Sequence, residues 1–213
     1  SDDLSRPHPM SRLLQGEVGS GKTIVALRAM LQVIDSGLQC AMLAPTEVLA
    51  AQHYRSLRNI LGPLATAGEL GAADLATKVV LLTGSMSTAA KRAALLAAVS
   101  GDAGIVIGTH ALIQDNVEFF SLGMVVIDEQ HRFGVEQRDA LRAKAKNGLT
   151  PHLLVMTATP IPRTVALTLY GDLDTSELDE LPALPDAWVE HFTGGQLAGE
   201  GDDKAMLDDG QAA

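Results

Sequence analysis

An α/β domain with a mostly parallel sheet flanked by helices is what this sequence predicts, and three observations predict it. From Leu13 to about Tyr170, short apolar runs alternate with longer stretches of helix-forming composition. Each run ends at a turn carrying polar residues or glycine, as the strands of βαβ units do. The first run passes through a glycine-rich turn, Gly16–Thr23, directly into the first helical stretch.

Taken in order, the first strand is expected at Arg12–Gln15 and the first helix at Lys22–Ser36, with Gly37 at its end. Gln39–Ala44 is nearly all apolar, as a strand covered on both faces should be. Its Cys40, the only cysteine, reads as a buried core residue; one thiol builds neither a disulfide nor a zinc site. A helix at Thr46–Leu61, a strand at Lys78–Thr83 and a helix at Ser87–Val99 follow, the last rich in alanine and helical by propensity. Strands at Gly104–Gly108 and Gly123–Asp128, a helix at Glu136–Lys146 and a strand at His152–Thr157 complete the alternation. Beyond Asp172 the pattern decays: Asp174–Leu181 is acidic, prolines stand at 182 and 185, and the end is rich in Gly, Asp and Ala. Residues 1–182 are therefore expected to form one domain, and 183–213 an acidic, disordered tail.

At 213 residues, 46% hydrophobic and 20% charged, the chain has the composition of a packed domain with a sizeable core. No apolar run approaches the ~20 residues needed to cross a bilayer, and Ser1–Leu4 lacks a basic-then-apolar signal pattern. A cytoplasmic protein without a membrane partner is the expectation. The net charge of −10 would argue against a polyanionic partner if it were spread evenly. It is not: the chain through Tyr170 carries +1, and the remainder carries −11. The body thus neither favours nor excludes nucleic acid by bulk charge.

The turn Gly16-Glu17-Val18-Gly19-Ser20-Gly21-Lys22-Thr23 fits G-x-x-x-x-G-K-[ST] and lies between a predicted strand and a predicted helix. Glycines let consecutive N–H groups curl inward toward phosphate oxygens, and the following helix N-terminus adds a favourable dipole. Lys22 is expected to reach the β- and γ-phosphates of ATP, and Thr23 to ligate Mg²⁺. The alternative is a glycine-rich turn with a solvent-facing lysine. A second element, Met124–His131, is an apolar strand delivering Asp128 and Glu129 to the carboxyl edge of the sheet. There Asp128 would hold Mg²⁺ and Glu129 would orient and deprotonate the attacking water; the plainer role is that of helix caps or solvated turn residues. A third element, Thr157-Ala158-Thr159-Pro160, places two hydroxyls at a strand end, where they could report nucleotide state or simply cap a helix.

Three more strand ends share a character: Pro45-Thr46-Glu47, Thr83-Gly84-Ser85 and Gly108-Thr109-His110 expose small and hydroxyl-bearing residues. Such donors suit sequence-independent contacts to a phosphodiester backbone. Each taken singly is also an ordinary helix cap. Aromatic residues are 3% of the chain, too few for base stacking to dominate binding.

These motifs, in this order, resemble the first motor domain of superfamily 2 helicases, which have RecA-like P-loop NTPase folds. Leu13–Thr23, Gly108–Gln114, Asp128–Arg138 and Thr157–Asp174 are similar in wording to the bacterial RecG family of ATP-dependent DNA translocases, which remodel stalled forks and Holliday junctions. Transcription-repair coupling factors share Arg132–Val135 and Ile161–Thr164, but typically carry Glu in place of Gln130. The resemblance implies ATP at Gly16–Thr23, magnesium and hydrolysis at Asp128 and Glu129, and coupling of nucleotide state to domain movement through Gln130, His131, Thr157 and Thr159. It also implies a monomer that contacts single-stranded or branched DNA through 45–47, 83–85 and 108–110, and that acts in recombination and repair.

The sequence departs from that family in three ways. Glu17 stands where Asp is usual, and Ala183–Trp188 replaces the expected Gly-Arg continuation. No wedge domain and no second motor domain with its arginine-bearing motifs can be read in these residues, so little hydrolysis is expected of the chain alone. A small-molecule P-loop kinase and a non-enzymatic remnant are the competing classes. The first would need an arginine-rich lid that is not legible here, and it leaves Asp128–His131 without a role.

Overall fold

Seven strands, all parallel, form a single sheet in the computed structural model, which describes residues 4, 9–17, 19–65, 76–113, 117–128, 140, 144, 150–158 and 174–178. They are β1 (Ser11–Gly16), β2 (Gln39–Leu43), β3 (Lys78–Leu82), β4 (Ala103–Gly108), β5 (Leu122–Asp128), β6 (His152–Thr157) and β7 (Asp174–Leu178). Among the described residues, three helices, α1 (Lys22–Asp35), α2 (Glu47–Leu61) and α3 (Thr88–Ser100), lie between the first four strands, with 3₁₀ turns at Gly62–Ala65 and His110–Ile113. The strand order is β3-β4-β2-β5-β6-β1-β7. The described residues belong to the first of two units, Ser1–Leu181; residues 182–213, and with them the expected acidic tail, lie outside the described residues.

α1, α2 and α3 return the chain between β1 and β2, β2 and β3, and β3 and β4, which makes these strands parallel, and covering helices explain the strands' composition. β2 is buried at all five residues, and β5 at all but its terminal Asp128. Cys40 is fully buried, its thiol 3.5 Å from the Met30 carbonyl, and burial pushes the thiol well above its ordinary range. That leaves it a core residue.

On α1 the buried positions are Ala26, Leu27, Met30 and Val33, a helical stripe facing the sheet. On α3, Ala94, Ala97 and Ala98 are buried, so small side chains let this helix lie close to the sheet. Gly123 serves the same end: a Cβ there would meet Leu38 Cβ at 2.7 Å and Val33 Cγ1 at 2.9 Å. Buried Gln39 ties three segments together, donating to the carbonyls of Ala98 (3.0 Å) and Ala103 (2.7 Å) and accepting from the Ser121 N–H (3.0 Å).

Expected and observed elements agree to within a residue at either end, and β6 has the expected limits. Thr46 and Ser87 prove to be N-caps, accepting from Leu49 N (3.2 Å) and Ala90 N (3.3 Å), rather than the first helical residues. The helix expected at Glu136–Lys146 falls almost entirely outside the described residues. One expectation is corrected: the acidic stretch after Asp172 contains β7, which pairs with β1 from Arg12↔Asp174 to Gly16↔Leu178. None of its five residues is buried. It is an edge strand held by its ladder, by a bond from Arg12 Nη1 to Ser176 Oγ (2.5 Å) and by the Arg12–Asp174 ion pair (3.9 Å). Among the described residues no helix is long and apolar enough to cross a membrane.

A candidate nucleotide site at the carboxyl edge of the sheet

Because every strand runs the same way, the ends of β1, β2, β3, β4, β5 and β6 deliver Gly16, Ala44, Thr83, Gly108, Asp128 and Thr157 to one edge. That edge is where open α/β sheets bind ligands. Gly16 closes β1, and Lys22 opens α1 five residues after the turn begins at Glu17. Gly19 (φ +88°) and Gly21 (φ +81°) adopt the left-handed conformation that side chains resist. Gly16 is required by space: a Cβ there would meet Ser20 Oγ at 2.5 Å and the Leu178 carbonyl of β7 at 3.1 Å.

α1 begins on Gly21 with no side-chain cap and no acidic residue in its first turn. Its leading N–H groups and its dipole are therefore left to an anion. Lys22 Nζ donates to the carbonyls of Gly16 and Glu17, both at 2.6 Å, and lies 3.4 Å from Ser20 Oγ. The ammonium is thereby folded over the mouth of its own turn. Val18 lies outside the described residues.

Asp128 ends β5 in register with Met156, while Gln15 lies in register with Thr157. β6 alone separates the acidic strand end from the glycine-rich turn, which places it roughly 10 Å away at two strand spacings. Gln15 and Thr157 are buried between them, at 4% and 1% exposure. Asp128 Oδ2 accepts from His53 Nε2 of α2 at 2.5 Å. Glu129, Gln130, His131 and Thr159 lie outside the described residues; Ala158 follows Thr157 at the same edge.

For a divalent cation the available donors are hard oxygens, the Thr23 hydroxyl and the Asp128 carboxylate. Among the described residues no group of three or more His, Cys, Asp or Glu could form a metal cage. Such a donor set fits Mg²⁺, which takes one or two protein oxygens and completes its shell with phosphate and water.

The remaining strand ends meet as well. Ser85 N–H donates to Glu47 Oε1 at 3.0 Å, and Lys91 Nζ donates to the Gly84 carbonyl at 2.5 Å. Hydrogen bonds from Ser85 hold the Glu47 carboxyl below its ordinary range. The Ala44 N–H donates to the Gly108 carbonyl at 2.8 Å, joining the third segment to the first. A shallow groove of about 440 Å³ lies here, lined by Glu47, Val48, Ala51, Gln52, Arg55 and Ser85.

Within the three segments, Thr46, Gly84 and Ser85 are exposed and Pro45, Glu47 and Thr109 half-buried. Thr83 and Gly108 are buried; Gly108 is enclosed because a Cβ would collide with the Leu82 carbonyl. The side chain of His110 lies outside the described residues.

Sequence reasoning missed His53 and β7. A signal for His53 existed: with Ala50, Leu57 and Leu61 it completes a stripe spaced three, four and four residues apart. A lone polar residue on an apolar stripe needs a partner.

The parallel sheet, the turn that only glycine fits and the carboxylate two strands away define a RecA-like P-loop NTPase domain. The sequence narrows this class further. Residues 7–168 match the DEAD/DEAH box helicase family, and the chain belongs to that family, whose members use ATP. Over 182 residues it is 70% identical to the ATP-dependent DNA helicase RecG of Mycobacterium tuberculosis, covering 85% of this chain and 25% of that protein. The RecG of Aquifex aeolicus is 54% identical over 181 residues, covering 85% and 21%. A solved structure of RecG bound to a three-way DNA junction superposes with a TM-score of 0.67 at 40% identity, covering 86% of this chain and 23% of that one. The chain thus spans about a quarter of the length of the curated relatives it matches. Mycobacterium smegmatis Lhr, at 22% identity and a TM-score of 0.60, shares the fold.

Proposed function

We propose that this chain is the ATP-binding motor domain of a RecG-type DNA helicase, acting on branched DNA such as stalled forks and Holliday junctions in recombination and repair. The observation that carries the reading is the glycine-rich turn itself, with its uncapped helix start and Lys22 poised over it, on the same sheet edge as Asp128. In this reading the turn N–H groups and Lys22 hold the phosphates, Thr23 and Asp128 hold Mg²⁺, and Glu129 orients water. Gln130, His131, Thr157 and Thr159 pass the nucleotide state to DNA. The exposed part of the segments at 45–47, 84–85 and 109–110 faces a DNA strand, which it holds by the backbone without reading sequence. We read residues 1–182 as the motor domain and 183–213 as an acidic tail outside the family's sequence.

Calorimetric titration with ATP and Mg²⁺ tests the nucleotide half. Binding is expected for the unmutated chain, and Lys22→Ala should weaken it roughly 100-fold, because charge-assisted bonds to phosphate contribute about 1.5–3 kcal/mol each. Absence of heat from the unmutated chain sinks the assignment. Fluorescence anisotropy with a three-way junction and with duplex of equal length tests the DNA half, and equal affinities would remove the branched-DNA preference from this chain.

A further inference from the structure

We infer that His53, which lies outside the segments singled out in the sequence, is a positioning residue for the magnesium-holding carboxylate of Asp128. The inference rests on the nucleotide site proposed above.

His53 Nε2 meets Asp128 Oδ2 at 2.5 Å, and the two side chains are only 14% and 13% exposed. A carboxylate can only accept, so the imidazole donates. One carboxylate oxygen is thereby engaged, and the rotation of the group is fixed with Oδ1 turned to its other side. Coordinating carboxylates are commonly held in this way, and loss of the outer partner typically weakens the metal about 10- to 100-fold.

The donor stands on a packed element: His53 shares the face of α2 that buries Ala50, Leu57 and Leu61, so the backbone from which the imidazole reaches Asp128 is fixed against the core. Six residues earlier, roughly 9 Å along the axis, the same helix carries Glu47, which is bonded to Ser85 and lines the groove. α2 therefore links the proposed DNA-facing groove to the metal carboxylate through one continuous rigid element. A purely structural pair, a buried imidazole satisfied by the nearest acid, would need no metal to matter. Only a metal-dependent readout separates the two.

The test uses the 213-residue chain and a fluorescent ATP analogue, titrated without Mg²⁺ and then with increasing Mg²⁺. His53→Ala should bind the metal-free analogue within twofold of the unmutated chain, but need about tenfold more Mg²⁺ for half-saturation. His53→Gln, which retains an N–H donor, should recover part of that loss. In the Asp128→Asn background, adding His53→Ala should change nothing further. Equal weakening with and without Mg²⁺, or an unchanged Mg²⁺ requirement, would overturn the assignment. Should His53→Ala fail to fold, the imidazole ¹⁵N signals of His53 in the unmutated chain decide. They should shift when Mg²⁺ joins bound ATP and stay still in Asp128→Asn; no shift in the unmutated chain overturns the inference. An unmutated chain that binds no analogue under either condition overturns the nucleotide site itself, and the inference with it.

Discussion

Gly16→Ala probes the contact between the glycine-rich turn and the edge strand. An added Cβ would stand 2.5 Å from Ser20 Oγ, 3.1 Å from the Leu178 carbonyl and 3.2 Å from Leu178 Cβ. The first neighbour is the end of a small side chain and can rotate away, at the expense of its place beneath Lys22. The other two belong to β7, whose Leu178 is the ladder partner of Gly16, and must yield by a few tenths of an ångström.

Overpacking of this kind costs about 1–3 kcal/mol. β7 is an edge strand with no buried residue and can give way, so the lower half, roughly 1–2 kcal/mol, is the expected loss. At about 2–4 °C per kcal/mol for a domain of this size, the midpoint of thermal unfolding should fall by roughly 2–8 °C. Circular dichroism on heating measures it, and a fluorescent-nucleotide titration should show weakened ATP binding in the same variant. Ser20→Ala added to Gly16→Ala removes the shortest contact and should restore part of the stability but not the β7 contacts. A melting point within 1 °C of the unmutated protein, with nucleotide affinity intact, would refute the placement of β7 against the turn. Gly19→Ala is the contrast: its Cβ would meet nothing within 4 Å, so any loss there reports the positive φ alone.

Two further outcomes follow from hydrogen-bonded polar groups, buried Gln39 and half-buried His152. Gln39→Leu removes the side-chain partner of the Ala103 carbonyl and the Ser121 N–H, while Ala98 keeps a bond from Phe120 N–H. A loss of about 2–4 kcal/mol is expected in urea unfolding, and less than 1 kcal/mol would show that these groups find other partners. His152 is held neutral, since burial lowers its pKa and its Nδ1 accepts from the Met10 N–H at 2.9 Å. The unfolded chain therefore binds the extra proton more readily, and the stabilisation is present above the unfolded pKa of about 6.5 and lost as pH falls through the folded value. Unfolding free energy should drop between pH 7.5 and 5.5, with a shallower slope in His152→Gln; a rise on acidification would contradict the assignment.

Much of this architecture could be read from residues alone, because local patterns dictate it. Apolar runs of strand length between capped helices place six of the seven strands, and Thr46 and Ser87 mark helix starts by a bond each side chain makes to its own first turn. The glycine spacing of 16–23 marks a tight strand-to-helix turn, because glycine readily takes the positive φ values seen at Gly19 and Gly21. β7 was not legible, since Asp174-Thr175-Ser176-Glu177 has no apolar face; its place comes from a ladder with a strand more than 150 positions earlier in the chain.

Tertiary structure alone decided which strand ends become neighbours. Register between β1, β6 and β5 sets Gln15 against Thr157 and Asp128 beside Met156, and the fold buries Thr83 and Gly108 at their strand ends. The bond between His53 and Asp128 spans 75 positions, a separation over which no local periodicity operates. The chain's own sequence thus determined the glycine-rich turn and the elements that frame it. The order of the sheet determined what that turn faces, because a parallel strand is placed by non-local pairing and by the helix that crosses over it.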